Sequence, residues 1–193
     1  MKKTMQGGYS FVLTILFAAS LATGSLAQTD AKKPVEDNRA PIVKETESAW
    51  KRAKKWTLEY IDAMPDNALS FKPTPEVRSF AEQMLHLAFW NFGLMEGAGG
   101  KANPYGKKQE DLEKRDDMKT KAALRKVVAE SYDVVLSEIA GATEAKLLEQ
   151  VSFFGRKYTR LGVLSIALDH QTHHRGQTTA YLRLKGVTPP PEP

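Results

Sequence analysis

The chain has 193 residues, 28 basic and 23 acidic side chains, a formal charge of +5 and no cysteine. The missing cysteines exclude disulfides, a thiolate metal site, a cysteine nucleophile and thioether-linked haem, so any metal must be held by nitrogen and oxygen. Setting aside Lys2 and Lys3 with the leader below lowers the charge to +3, too balanced to argue for nucleic acid as a partner.

Lys2 and Lys3 precede an almost uncharged apolar run, Tyr9–Leu21, and Ser25-Leu26-Ala27 then offers small residues at the −3 and −1 positions. This predicts a signal peptide over residues 1–27, cleaved before Gln28, and a periplasmic or secreted mature protein. The run falls short of the roughly 20 apolar residues of a membrane span, so no stable membrane anchor is expected. No cysteine follows it, which disfavours a lipid anchor. Residues 28–39 are polar and Pro-interrupted and read as a flexible leader. Residues 40–193 are then enough for one domain with a proper core.

Four helical patterns follow. From Ala40 to Met64 the residues Val43, Trp50, Ala53, Thr57, Tyr60, Ile61 and Met64 fall near one face. Pro65, Pro73 and Pro75 interrupt the chain. Ser79-Phe80-Ala81-Glu82 has the form of a capping box opening a second helix to about Gly97. Ala98–Arg115 reads as a long surface connection. A third helix is expected from near Asp116-Asp117, where acids suit the positive helix end, to Gly141. Thr143–Gln150 has the pattern of a short helix and Val151–Tyr158 of an extended excursion. The fourth helix is expected after Thr159 as N-cap and before Gly186. Four amphipathic helices in one chain argue an all-α fold, an antiparallel-type four-helix bundle in which the long connection permits one crossover.

The fourth helix carries an unusual inward stripe: Val163, Ile166 and Ala167 continue as His170, His174, Gln177, Thr178 and Tyr181. At about 100° per residue, His170 and His174 lie about 40° apart, one turn above the other, and can reach one divalent ion. His173 points to the other side. The one remaining histidine, His86 on the second helix, is the candidate third ligand. On spacing alone, a metal site on His86, His170 and His174 and a hydrated polar end of the bundle are equally good readings. Asp169 is a candidate partner for a histidine N–H from outside, or a surface acid pairing with Arg175 or Lys185. Glu82 shares the face of His86 and is a candidate general base, in competition with its capping duty. Gln177, Arg175 and Trp90 are candidates for the surrounding layer or pocket wall, with Phe89. A ferritin-like di-iron site fails, because its Glu-x-x-His motifs are absent.

At these residues the chain resembles the DinB family of metalloenzyme-like proteins. Two blocks carry the likeness: Met64-Pro65-Asp66 through Phe71-Lys72-Pro73-Thr74-Pro75 to Ser79–Leu87, and Asp169-His170-Gln171-Thr172-His173-His174-Arg175-Gly176-Gln177 followed by Tyr181-Leu182 and Gly186. The resemblance implies up-down-down-up helix connectivity and one divalent metal ion, zinc or nickel, on three histidines. These fall on His86, His170 and His174, and His173 is not a ligand. Some relatives transfer low-molecular-weight thiols or hydrolyse thiol conjugates. The expectation is therefore an exported metal-dependent hydrolase or thiol/group transferase acting on a small molecule, with homodimerisation left open. The rival is a non-catalytic metal-binding or interaction module whose ion only ties the helices together.

Overall fold

Residues 37–191 are described by a computed structural model. Helix α1 (Pro41–Ala63) opens with a proline at its first position, where the missing N–H is no loss. It buries Val43, Trp50, Ala53, Thr57, Tyr60 and Ile61, the expected stripe, and ends where Met64 turns extended before Pro65. The second helix, α2 (Phe80–Gly97), is opened by the capping box: Glu82 N–H donates to Ser79 Oγ (3.2 Å) and Ser79 N–H donates to Glu82 Oε2 (2.8 Å). Thirteen of its eighteen residues are buried, so α2 is packed on nearly all sides.

The connection after α2 differs from expectation. It contains a one-turn helix, α3 (Glu110–Glu113), and a 3-10 turn at Asp116–Met118. Leu112 and Glu113 are buried, so the segment is partly inside rather than over the surface. The third long helix, α4 (Lys121–Ala140), starts later than the acidic pair suggested. Thr120 is its N-cap, its Oγ1 accepting from Ala123 N–H at 3.3 Å, while Asp116 and Asp117 belong to the preceding turn. A short α5 (Glu144–Leu148) leads into a hairpin of β1 (Gln150–Phe153) and β2 (Arg156–Thr159), paired antiparallel with Phe153 opposite Arg156. Helix α6 (Arg160–Leu184) is capped by Thr159 Oγ1, which accepts from Gly162 N–H at 3.0 Å.

Side-chain pairings give the helix directions. Thr57 and Tyr132 meet at 2.7 Å and Arg125 and Asp62 at 2.9 Å, so α1 and α4 are antiparallel. Gln83 meets Gln177 at 2.6 Å, while the Arg160 guanidinium bonds the Ala98 carbonyl, so α2 and α6 are antiparallel. Asn91 with Ser131 and Glu82 with Lys119 set α2 and α4 in the same direction. Trp50 lies beside Leu161 and Leu164, and Tyr60 bonds Thr179, which aligns α1 with α6. The four long helices thus enclose one core in the order α1, α4, α2, α6. Trp50, Phe80, Met84, Leu85, Leu124, Tyr132 and Leu182 fill it, each worth about 1.5–3 kcal/mol when removed from water. Among the described residues, no helix is long and apolar enough to cross a membrane.

Candidate metal centre

The α2–α6 contact brings His86, His170 and His174 together. One ring nitrogen from each lies within 4.8 Å of the others. Ring centroids are 4.4 Å apart for His86 and His174, 4.5 Å for His170 and His174, and 5.2 Å for His86 and His170. The antiparallel crossing does this: the one-turn pair on α6 straddles the level of His86 on α2. His86 and His174 are buried and His170 is partly exposed.

Burial is the main cause that lowers His170 to a pKa of about 4 and His174 to about 3. Both are therefore neutral at pH 7, with lone pairs available for a cation.

A surrounding layer fixes two of the rings. His86 Nδ1–H donates to Glu113 Oε1 at 2.5 Å, and Glu113 Oε2 accepts from Arg78 Nε at 2.8 Å. Burial alone would raise the Glu113 carboxyl, but the bonds from His86 and Arg78 outweigh it and hold the group below the ordinary glutamate value. His174 Nδ1–H donates to Gln83 Oε1 at 2.8 Å. Gln83 Nε2 in turn donates to Gln177 Oε1 at 2.6 Å, and the Tyr181 hydroxyl donates to the Arg78 carbonyl at 2.8 Å. With both Nδ1 atoms committed, His86 and His174 are left with Nε2 as the nitrogen that could meet an ion, and an outer acceptor sets the tautomer of each ring. Among the described residues His170 Nδ1 has no hydrogen-bond partner although it is fully buried, so its desolvation is not offset. Two oriented rings and one orphaned nitrogen fit a divalent ion.

The other sequence candidates fall unevenly. Trp90 lies beside the cluster, with centroids 6.2 Å from His86 and 5.8 Å from His170. Gln177 belongs to the surrounding layer through Gln83, and also donates to the exposed His173 at Nε2 (2.7 Å). Glu82 does not face the cluster. Its carboxylate closes the capping box and pairs with Lys72 at 3.2 Å and Lys119 at 3.6 Å. Those partners outweigh its desolvation and lower its pKa, which makes it a poor proton acceptor near neutral pH. Asp169 is exposed and bonds no histidine, because its direction on α6 leads to solvent. Arg175 is buried away from the trio, under the Trp56 ring (5.5 Å) and bonded to Gln171 Oε1 at 2.7 Å. Sequence reasoning gave no role to Gln83 or Arg78, and it missed Glu113. Glu113 sits in a charged run, and only the turn of α3 shows that it points inward; its apolar neighbour Leu112 was the one local signal.

Two clefts lie along α2, each walled in part by residues that touch the trio, though by none of its histidines. Toward the start of α2 lies a polar one of about 480 Å³, walled by Arg78, Gln83, Glu113 and Gln177. Toward its end lies a groove of about 420 Å³ walled by Phe89, Trp90, Phe153 and Phe154.

The sequence profile of the DinB superfamily matches residues 49–178. The chain is 28% identical over 134 residues to the uncharacterized protein YjoA of Bacillus subtilis (strain 168), covering 68% of this chain and 83% of that protein. A crystal structure of that DinB-like YjoA superposes with a TM-score of 0.56 at 20% identity, over 77% of this chain and 96% of the other. A DinB-like protein from Bacillus cereus ATCC 10987 gives a TM-score of 0.67, also at 20% identity, over 78% and 97% of the two chains.

Proposed function

The chain belongs to the DinB superfamily, and from that premise we propose that it is a divalent-metal-dependent enzyme, a hydrolase or a thiol/group transferase, with its ion on His86, His170 and His174. The observation that carries this is the convergence of three imidazole nitrogens within 4.8 Å, two of them oriented by Glu113 and Gln83. Zinc and nickel suit an all-imidazole donor set. The helix directions support reading the fold as an up-down-down-up four-helix bundle, with the site inside its α2–α6 seam.

A divalent ion on three imidazoles would supply Lewis-acid chemistry, lowering the pKa of a coordinated water or thiol toward neutrality. The protein's own part is positional. Glu113, held by Arg78, keeps the His86 ring turned inward, and Gln83 does the same for His174. Glu82, tied to its cap and two lysines, is not placed to take a proton at the trio, so a proton released there would go to solvent. The partly exposed His170 and the clefts along α2 favour an open, exchangeable position over an ion that only ties helices together. Export is part of the proposal: residues 1–27 lie outside the described residues, and N-terminal sequencing of the mature protein beginning at Gln28 is the expected result.

The test is elemental analysis of the protein purified without chelator or His-tag, followed by cobalt substitution. One equivalent of a divalent metal, lost in His170→Ala, with a cobalt spectrum that small anions or thiols perturb, is expected. A metal-free protein active on an identified substrate would sink the proposal, and a cobalt spectrum indifferent to added ligands would favour the non-catalytic module.

A further inference from the structure

The hairpin turn beside the trio is built against its own backbone preference. Phe153 pairs with Arg156, which leaves Phe154 and Gly155 as a two-residue turn, with φ of 47° and 73°. Positive φ at both positions is the geometry that normally selects Asn-Gly or Asp-Gly. A phenylalanine there is sterically disfavoured, and the residue is 73% exposed, so neither turn geometry nor core burial explains it. Such strain persists where the side chain is wanted in one place.

That place is the aromatic groove. The Phe154 centroid is 6.3 Å from Trp90, which is 5.8 Å from His170 and 6.2 Å from His86, so the aromatic wall runs from the trio to the turn. Gly93 and Gly97 line the groove on α2. At Gly97 a Cβ would come within 2.7 Å of the Phe153 ring, so glycine is what lets the hairpin lie this close. Among the polar groups of the groove, Lys107 pairs with Glu96 and the Asn103 amide donates to the Phe89 carbonyl at 3.2 Å, which leaves the exposed Ser152 on the hairpin side. The groove therefore offers aromatic faces and compensated charge, which suits a flat, neutral group.

We infer that this groove is the specificity subsite for an aryl or similarly flat apolar substituent, carried by a substrate whose polar head lies at the histidine trio, with Phe154 and Trp90 as its walls. The inference rests on the metal reading above. A substrate of this class would span from the trio along α2 toward Gly97, with its ring against Trp90.

The test uses the cobalt-loaded protein and two probes with the same chelating head, benzohydroxamate and acetohydroxamate, titrated against the visible cobalt spectrum. Benzohydroxamate should bind at least about tenfold more tightly, the scale expected for removing one phenyl ring from water. Phe154→Asn restores a favoured turn residue and removes the ring. Gly93→Leu fills the groove from a helix that tolerates leucine, its Cβ meeting nothing closer than 3.9 Å. Both variants should lose most of the aryl preference while acetohydroxamate affinity stays unchanged. Equal affinity for the two probes in the unmodified protein, or a preference untouched by either variant, overturns the subsite while leaving the metal site standing. Failure to take up cobalt, or a spectrum indifferent to both probes, overturns the metal reading and the subsite with it.

Discussion

Glu113, which is buried, and Glu82, which is partly so, are both acidic and both near His86 in the chain or in space, yet they serve different ends. Glu113 accepts from His86 at 2.5 Å and is steadied by Arg78, whereas Glu82 is consumed by the cap of α2 and by two lysines. Replacing Glu113 by Gln should weaken metal affinity about 10–100-fold, the usual scale for losing an outer partner of a ligating histidine. Glu82→Gln should leave it unchanged, and competition titration with a coloured chelator separates the two. Among the histidines, His86→Ala and His174→Ala should abolish stoichiometric metal while His173→Ala retains it. The depressed His170 and His174 also make a pH prediction for the metal-free protein. Their folded pKa values of about 4 and about 3 lie below the ordinary 6.5. Between those limits the unfolded chain binds more protons than the folded one, so stability rises with pH and is lost as pH falls from 6.5. The unfolding free energy from urea titrations should fall from pH 7 to pH 4.5, by on the order of 1 kcal/mol per histidine at pH 5, and a His170→Asn/His174→Gln variant should show a shallower decline.

At the scale of elements, the site depends on how each helix begins. The Ser79 cap sets where α2 starts and hence the height of His86, two turns in. Ser79→Ala should lower unfolding stability by about 1 kcal/mol, read as a shifted urea midpoint, with metal stoichiometry retained because α2 is held on nearly all sides. This cap was legible in the sequence because its signal is local: a serine, a glutamate three residues on, and an apolar run. The same holds for Thr159 before α6 and for the one-turn spacing of His170 and His174. The start of α4 was not legible in the same way. Acids at Asp116-Asp117 look like a helix N-terminus, but the chain spends them in a 3-10 turn and caps on Thr120. Partnerships across the fold were harder still. Asp169 is next to His170 in sequence and faces solvent, while Glu113, 27 positions beyond His86, turns inward and takes its N–H. Periodicity states which way a residue faces on its own helix; it does not say what a one-turn segment between helices will present to that face.

Across the whole molecule, the trio lies between two helices that are otherwise joined by packing and the Arg160–Ala98 bond at one end and by Gln83 and Gln177 at the other. The α1–α4 side carries its own buried chain of hydrogen bonds, Thr57 to Tyr132 at 2.7 Å and Tyr132 to Gln171 at 2.6 Å, with Arg175 donating to the same Gln171. That network needs no ion. On the α2–α6 side the corresponding layer is the three histidines, two of them depressed and one of those two, His170, with a partnerless buried nitrogen, an arrangement that costs stability unless an ion is bound. An ion that binds the folded chain and not the unfolded one stabilises by mass action, about 2.7 kcal/mol at a free concentration of 100 times its Kd. For a chain of this size that corresponds to a rise in Tm of roughly 5–10 °C. Thermal melts of the chelator-treated protein should therefore shift upward on adding zinc or nickel and return when chelator is restored. In His170→Ala the shift should vanish. A Tyr132→Phe variant, which removes the hydroxyl from the other layer, should melt lower overall yet keep the full metal-dependent increment. Loss of the increment in both variants would mean that the two polar layers act as one unit; its loss in His170→Ala alone assigns it to the seam between α2 and α6.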